Sequence, residues 1–307
     1  MRAGRLLLVS AVAAGSVLVA PHGAEAAFPG RNGRIVFQSE SAAGDHTQTD
    51  VWTVGADGAG ARRLTNTPGL NELGPAWNGA GTKIVFWRTP APFGPGEIWT
   101  MDADGRHQRR LTTGMDARDP VWNRPGTRII FTRVTGGDFD LWVMNANGSG
   151  KRRLTRGAAL DFEAAWSPDG KRVAFTRGSA EGDVGDIFVL TLTSGKLKRV
   201  TRNADYDHQV AWSPDGRRLV FERDIATQSS IWTVHPNGTH AKRLTSGRFF
   251  DVGPAWAPDG RYITFGTDRA SFLGDLWVMR ADGTKKKLLH GGRSISEGFP
   301  DWQPRTG

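Results

Sequence analysis

The 307-residue sequence contains no cysteine, which excludes a disulfide framework, a thiolate metal centre and a cysteine nucleophile. Gly-x-Ser-x-Gly, Walker-type and His-Glu-x-x-His patterns are missing as well. No catalytic residue is therefore assigned. Tyrosine is scarce, with 2 against 12 Trp. A long bilayer-spanning run is also absent: the apolar stretch Leu6 to Ala20 is short for a transmembrane helix.

That stretch follows Arg2 and Arg5 and ends at the small-x-small site Ala24-Glu-Ala26, the pattern of an export signal. Residues 1–27 are read as signal, cleaved near Ala26, and 28–307 as the mature chain. No Cys follows to carry a lipid, so a secreted or periplasmic, cell-envelope product is expected, with no transmembrane segment. Without Arg2, Arg5 and Glu25 the 40 basic and 31 acidic residues become 38 and 30, a charge of +8.

What the chain does have is a repeat. Trp166-Ser-Pro-Asp-Gly170 recurs at Trp212-Ser-Pro-Asp-Gly216 and Trp256-Ala-Pro-Asp-Gly260, with looser copies at Trp77 and Trp122 and a last one at Trp302. The Trp residues are 45, 44, 46, 44 and 46 apart. A period of this size, with four short strands in each copy, predicts a propeller.

The first strand of each repeat ends in that Trp, with Pro75, Pro120, Pro254 and Pro300 two places before it in four copies. Proline there requires a strand with one unpaired side, the inner strand lining a channel. The second strand is a near-continuous apolar run such as Val173-Ala-Phe175 or Leu219-Val-Phe221, expected of a strand buried on both faces. The third carries Trp52, Trp99, Trp142, Phe188, Trp232 or Trp277, preceded two places earlier by an acid in all copies but Ser230. A tight hairpin such as Asp57-Gly58 or Asn237-Gly238 follows. The fourth strand is basic, from Arg62-Arg-Leu-Thr65 to Lys285-Lys-Lys-Leu288, and charge on this exposed edge opposes sheet-to-sheet association.

The mature chain leaves no room for an inner strand before Ile35. The expected fold is therefore all-β: a six-bladed β-propeller of four-stranded antiparallel blades, closed by the C-terminal strand Phe299 to Trp302 joining blade one. Repeat boundaries fall near 77, 122, 166, 212, 256 and 302.

These repeats resemble the WD40-like PD40 repeats of the TolB propeller family, over Phe28 to Gly307. The resemblance implies an exported platform that binds a protein or peptide without catalysis. Members of the family proper carry an α/β domain ahead of the propeller, and none is expected between the signal and blade one.

The candidate site is a ring. Five places before each inner-strand Trp stand Glu72, Ala117, Asp161, Asp207, Asp251 and Glu297, with Asp116 beside the exception. These acids are expected at one channel mouth, where their field attracts a cation or a basic peptide segment; the competing expectation is that each carboxylate accepts local backbone N–H groups. Arg118 and His208, one place further in, temper the charge. No metal centre or cofactor is expected, a single His beside the channel being too few, although calcium on oxygen ligands at the mouth stays open. A protein, peptide or glycan ligand is the first partner, and cell-wall polyanion on the basic outer strands the second. Nucleic acid is excluded by export and by the lack of a basic groove, and a monomer is expected. A metal-dependent propeller enzyme acting on cell-wall or acidic polysaccharide is the alternative function.

Overall fold

The computed structural model describes residues 27–43, 46–90, 94–179, 185–225, 227–271, 274–291 and 296–305. Apart from Ala27, the proposed signal lies outside the described residues. Among the described residues no helix is long and apolar enough to cross a membrane.

Blade one contains β1 (Arg31–Ala43), β2 (His46–Val54) and β3 (Arg62–Arg63). Blade two is β4 (Leu70–Trp77), β5 (Lys83–Pro90), β6 (Glu97–Asp102) and β7 (Arg109–Arg110). Blade three is β8 (Asp116–Trp122), β9 (Arg128–Thr135), β10 (Asp138–Asn145) and β11 (Arg152–Arg153). Blade four is β12 (Leu160–Trp166), β13 (Arg172–Gly178), β14 (Gly185–Thr191) and β15 (Leu197–Arg199). Blade five is β16 (Tyr206–Trp212), β17 (Leu219–Ile225), β18 (Gln228–Val234) and β19 (Lys242–Arg243). Blade six is β20 (Asp251–Trp256), β21 (Tyr262–Thr267), β22 (Asp275–Arg280) and β23 (Lys287–His290). The last strand, β24 (Ser296–Arg305), pairs antiparallel with β1, setting Trp302 opposite Ile35 and Glu297 opposite Ser39. Each sheet has four strands, blade one in the order β24-β1-β2-β3. Inner strands touch in sequence from β4 through β8, β12, β16 and β20 to β24, which returns to β4. The ring is closed by the tail, as the count of strands requires.

The core lies between blades. Ala165, Ile187 and Val200 of blade four pack with Trp212, Phe221 and Val234 of blade five, and the other interfaces repeat this pattern. The second-strand residues Phe37, Phe86, Phe131, Phe175, Phe221 and Phe265 are fully buried, each worth about 1.5–3 kcal/mol relative to exposure. The Asp-Gly hairpins carry the left-handed glycine their sequence predicts; at Gly58, φ is 86° and a Cβ would clash with the Leu289 carbonyl oxygen.

Thr residues just past the fourth strand tie blades one to five together: Thr65, Thr112, Thr155, Thr201 and Thr245 each accept the backbone N–H of a third-strand residue. Part of the basic charge on these strands is structural, in blades one to four. The second base of the pair holds the third-strand acid, as Arg63 does Asp50, Arg153 Asp140 and Arg199 Asp186. Blade six departs from the expected register. Its outer strand is Lys287–His290 rather than Lys285–Leu288, because Leu289, 9% exposed, takes the buried place that Leu64 fills in blade one.

Candidate functional site

Strand pairing decides what the ring of acids does. Glu72 stands opposite Arg88, Asp161 opposite Arg177 and Asp207 opposite Arg223. Each arginine donates to its acid, at 2.8 Å from Arg88 Nε to Glu72, 2.6 Å to Asp161 and 2.5 Å to Asp207. Asp251 takes Arg269 at 2.5 Å, and Glu297 takes His290 Nδ1 at 2.8 Å. These five acids are no more than 3% exposed. An aromatic side chain of the third strand backs three of the arginines: Arg88 lies 4.3 Å from the Trp99 ring, Arg223 4.3 Å from Trp232 and Arg177 5.1 Å from Phe188. In blades two, four and five, acid, guanidinium and ring form one stack.

Blade three breaks the pattern. Ala117 occupies the acid's place, and Arg133 opposite it stacks 4.7 Å from Trp142 with its Nε atom lacking a hydrogen-bond partner. Asp116 does not fill the gap. It accepts both Nε and Nη2 of Arg118, on its own strand, and the backbone N–H of Gly96. The rim residues of the sequence reading thus stand at the start of the inner strands, each bound to a near neighbour.

A second ring, not anticipated from the sequence, lies two places further along. Each inner strand carries a bulge three residues before its Trp, and there Gly74, Asp119, Glu163, Gln209, Gly253 and Phe299 all adopt φ between 51° and 58°. For a non-glycine residue this conformation costs about 1–2 kcal/mol and collects at functional sites. The bulge turns its N–H toward the preceding blade: Gly74 donates to Gln38 Oε1, Gln209 to Glu163 Oε2 and Gly253 to Glu222 Oε2. Three acceptors on this ring are left over. Asp119 Oδ1, Glu163 Oε1 and Gln209 Oε1 are buried without a hydrogen-bond partner, in residues 1%, 0% and 4% exposed. A buried acceptor left unmade costs about 1–3 kcal/mol, so these oxygens call for a donor or a cation. Burial, reinforced by the Glu163 charge, raises the Asp119 carboxyl well above its ordinary value.

His208 belongs to this deeper level. Its Nδ1 faces Glu163 Oε2 at 3.7 Å, and its Nε2 lies 3.4 Å from Glu222 Oε1 and 3.2 Å from Asp224 Oδ2. Burial works to lower the imidazole pKa, but attraction by Glu222 and Asp224 overrides it and raises it well above the ordinary value. Burial likewise lifts Glu222 to about 7, against the pull of His208. Of the described residues, His208, Glu222 and Asp224 form the one group whose ligand atoms all lie close enough to share a metal, within 4.8 Å of one another. Glu222 and Asp224 were missed because they sit on β17 and meet His208 only through folding. For the bulge ring a signal existed: aligning the repeats three places before Trp puts Gly74 and Gly253 beside Asp119, Glu163 and Gln209, and glycine there marks positive φ.

Comparison with known proteins agrees with this architecture. The TolB beta propeller domain family matches residues 116–306. The Tol-Pal system protein TolB of Rhizorhabdus wittichii is 34% identical over 70 residues, 23% of this chain and 16% of that protein, so the match spans about a sixth of the relative's length. The TolB crystal structure from Acinetobacter baumannii superposes with a TM-score of 0.73 at 21% identity, covering 89% of this chain and 67% of that one. An oligogalacturonate lyase from Vibrio parahaemolyticus shares the fold at a TM-score of 0.53 and 14% identity, covering 75% of this chain and 71% of that one, so this architecture also carries enzymes. With six blades, a closing tail and a family match over well more than half its length, the chain belongs to the TolB beta propeller domain family.

Proposed function

We propose that the mature chain is an exported binding scaffold that takes a peptide segment of a partner protein at the channel face of the propeller. The observation that carries this reading is the row of unpartnered oxygens on Asp119, Glu163 and Gln209, in three consecutive blades. A lysine side chain or the free N–H groups of an extended peptide supply the donors these atoms lack, and the low dielectric of the channel strengthens each contact. The ring from Glu72 and Asp116 round to Glu297 frames the entrance; its acids, already held by arginine or histidine, order the rim instead of lending it free charge. Arg133, with Ala117 in place of an acid, offers that entrance one cation for a carboxylate of the ligand. The signal-like segment ahead of Phe28 supports delivery to the cell envelope or the medium.

Affinity capture from the exported fraction tests this, with wild-type protein and the Asp119→Ala and Gln209→Ala variants as parallel baits. A partner retained by wild type and lost from both variants is expected. Equal recovery on all three would overturn the channel as the site.

A further inference from the structure

Beyond the peptide site, blade five holds a constellation that the other blades do not repeat. Four places before the inner-strand Trp the copies read Leu73, Arg118, Phe162, His208, Val252 and Gly298. One place after the second-strand Phe they read Gln38, Trp87, Thr132, Thr176, Glu222 and Gly266. Imidazole and carboxylate coincide only in blade five, where Asp224 adds a second carboxylate two residues on.

Atoms of the three members converge on a shared point. Glu222 Oε2 accepts the Gly253 N–H at 3.0 Å, which leaves Oε1 toward His208. Asp224 Oδ1 accepts the Ser229 hydroxyl, and its Oδ2 lies 3.2 Å from His208 Nε2. On the far side of the ring, Nδ1 looks at Glu163, itself fixed by the Thr176 hydroxyl at 3.0 Å and the Gln209 N–H at 2.9 Å. A carboxylate behind the distal nitrogen is the usual support of a metal-bound imidazole. His208 is 7% exposed, and its Nε2 makes no hydrogen bond of proper geometry although two carboxylate oxygens approach it.

The spacing explains that arrangement. Tetrahedral ligands bonded at about 2.0–2.1 Å stand about 3.3–3.4 Å from one another. The His208 Nε2 distances of 3.4 Å to Glu222 and 3.2 Å to Asp224 are edges of that size. We propose that His208 Nε2, Glu222 Oε1 and Asp224 Oδ2 form a binding site for a divalent transition cation of the zinc class, with Glu163 orienting the imidazole. One nitrogen and two carboxylate oxygens suit zinc and its neighbours better than calcium, which takes six to eight oxygens. The Asp224 side chain, 17% exposed, gives the ion its way in and leaves the fourth position to water. The site ties β16 to β17 beside the bulge ring, and through Glu222 reaches Gly253 of blade six.

The experiment is titration of Zn2+ into chelator-treated mature protein by calorimetry, with Co2+ as a spectroscopic probe of geometry. One ion per chain is expected, with the strong visible bands of four-coordinate Co2+. His208→Ala and Asp224→Asn should each weaken Zn2+ binding at least about 100-fold, and Glu163→Gln about 10- to 100-fold, as loss of a supporting partner does. His235→Ala, on a surface hairpin, should change nothing. Asp224→Asn preserves shape at a partly exposed position, so it decides the matter if His208→Ala does not fold, and thermal melts of the metal-free variants confirm which are folded. Absence of micromolar Zn2+ binding, a stoichiometric site indifferent to Asp224→Asn, or displacement of Zn2+ by equimolar Ca2+ would each overturn the proposal.

Discussion

The Asp301 carboxylate accepts the backbone N–H of Trp77 at 2.6 Å, so the C-terminal strand is fastened to blade two as well as to blade one. Ring closure therefore has a polar lock beside its strand pairing. A hydrogen bond to a charged acceptor contributes about 1.5–3 kcal/mol, and its loss strands a buried N–H. Asp301→Ala should cost about 2 kcal/mol in urea unfolding. Truncation after Gly291, which keeps β23 and removes β24 entirely, should abolish the single cooperative transition. A truncated chain melting at the wild-type temperature would refute closure by the tail.

Blade three supplies a gain-of-stability test. Its Arg133 stacks on Trp142 but faces Ala117, where Glu72, Asp161 and Asp207 serve the matching arginines of other blades. Ala117→Asp should complete the stack and raise stability by about 1 kcal/mol, the attraction to Arg133 being largely offset by desolvation of a carboxylate at this buried position. The converse, Arg177→Ala, leaves Asp161 buried without its partner and should cost about 3 kcal/mol, part of which Asp161→Asn in the same chain recovers. Denaturant midpoints of the four proteins check both directions.

Glu72 should leave a mark on the pH profile. Burial, against the pull of Arg88, raises its carboxyl to about 7 from an ordinary 4.5. The folded state then holds this proton more tightly than the unfolded chain between those values. Stability contributed by the group is complete below pH 4.5 and is lost as pH rises through 7. Glu72→Gln should flatten this part of the descent between pH 5 and pH 7.5, read as the difference in urea midpoint from wild type. An identical slope in the variant would contradict the assignment.

The architecture was legible because an inner-strand Trp recurs six times, followed three times by a Pro-Asp-Gly turn, and because the missing inner strand before Ile35 demanded a donor at Trp302. Local signals failed where a through-space contact decided the outcome. A lysine run suggested the outer strand of blade six at Lys285, yet burial of Leu289 sets its register two residues later. The acids of the rim were visible, but not that arginines, and for Glu297 His290, would hold them. Asp119, Glu163 and Gln209 escaped notice because they differ chemically and share only a backbone conformation, which two glycines betray. His208 drew attention as a single histidine, and its carboxylate neighbours stand on a strand whose apolar run masks them.

Direct titration of a lysine-rich decapeptide, labelled for fluorescence anisotropy, measures the central claim that the channel oxygens await donors. Wild-type protein should bind it in the micromolar range, more weakly as salt rises, and Asp119→Ala and Gln209→Ala should each lose at least about tenfold, the equivalent of one unmade hydrogen bond to a buried acceptor. Binding of equal strength to wild type and both variants would place the peptide elsewhere and contradict the account.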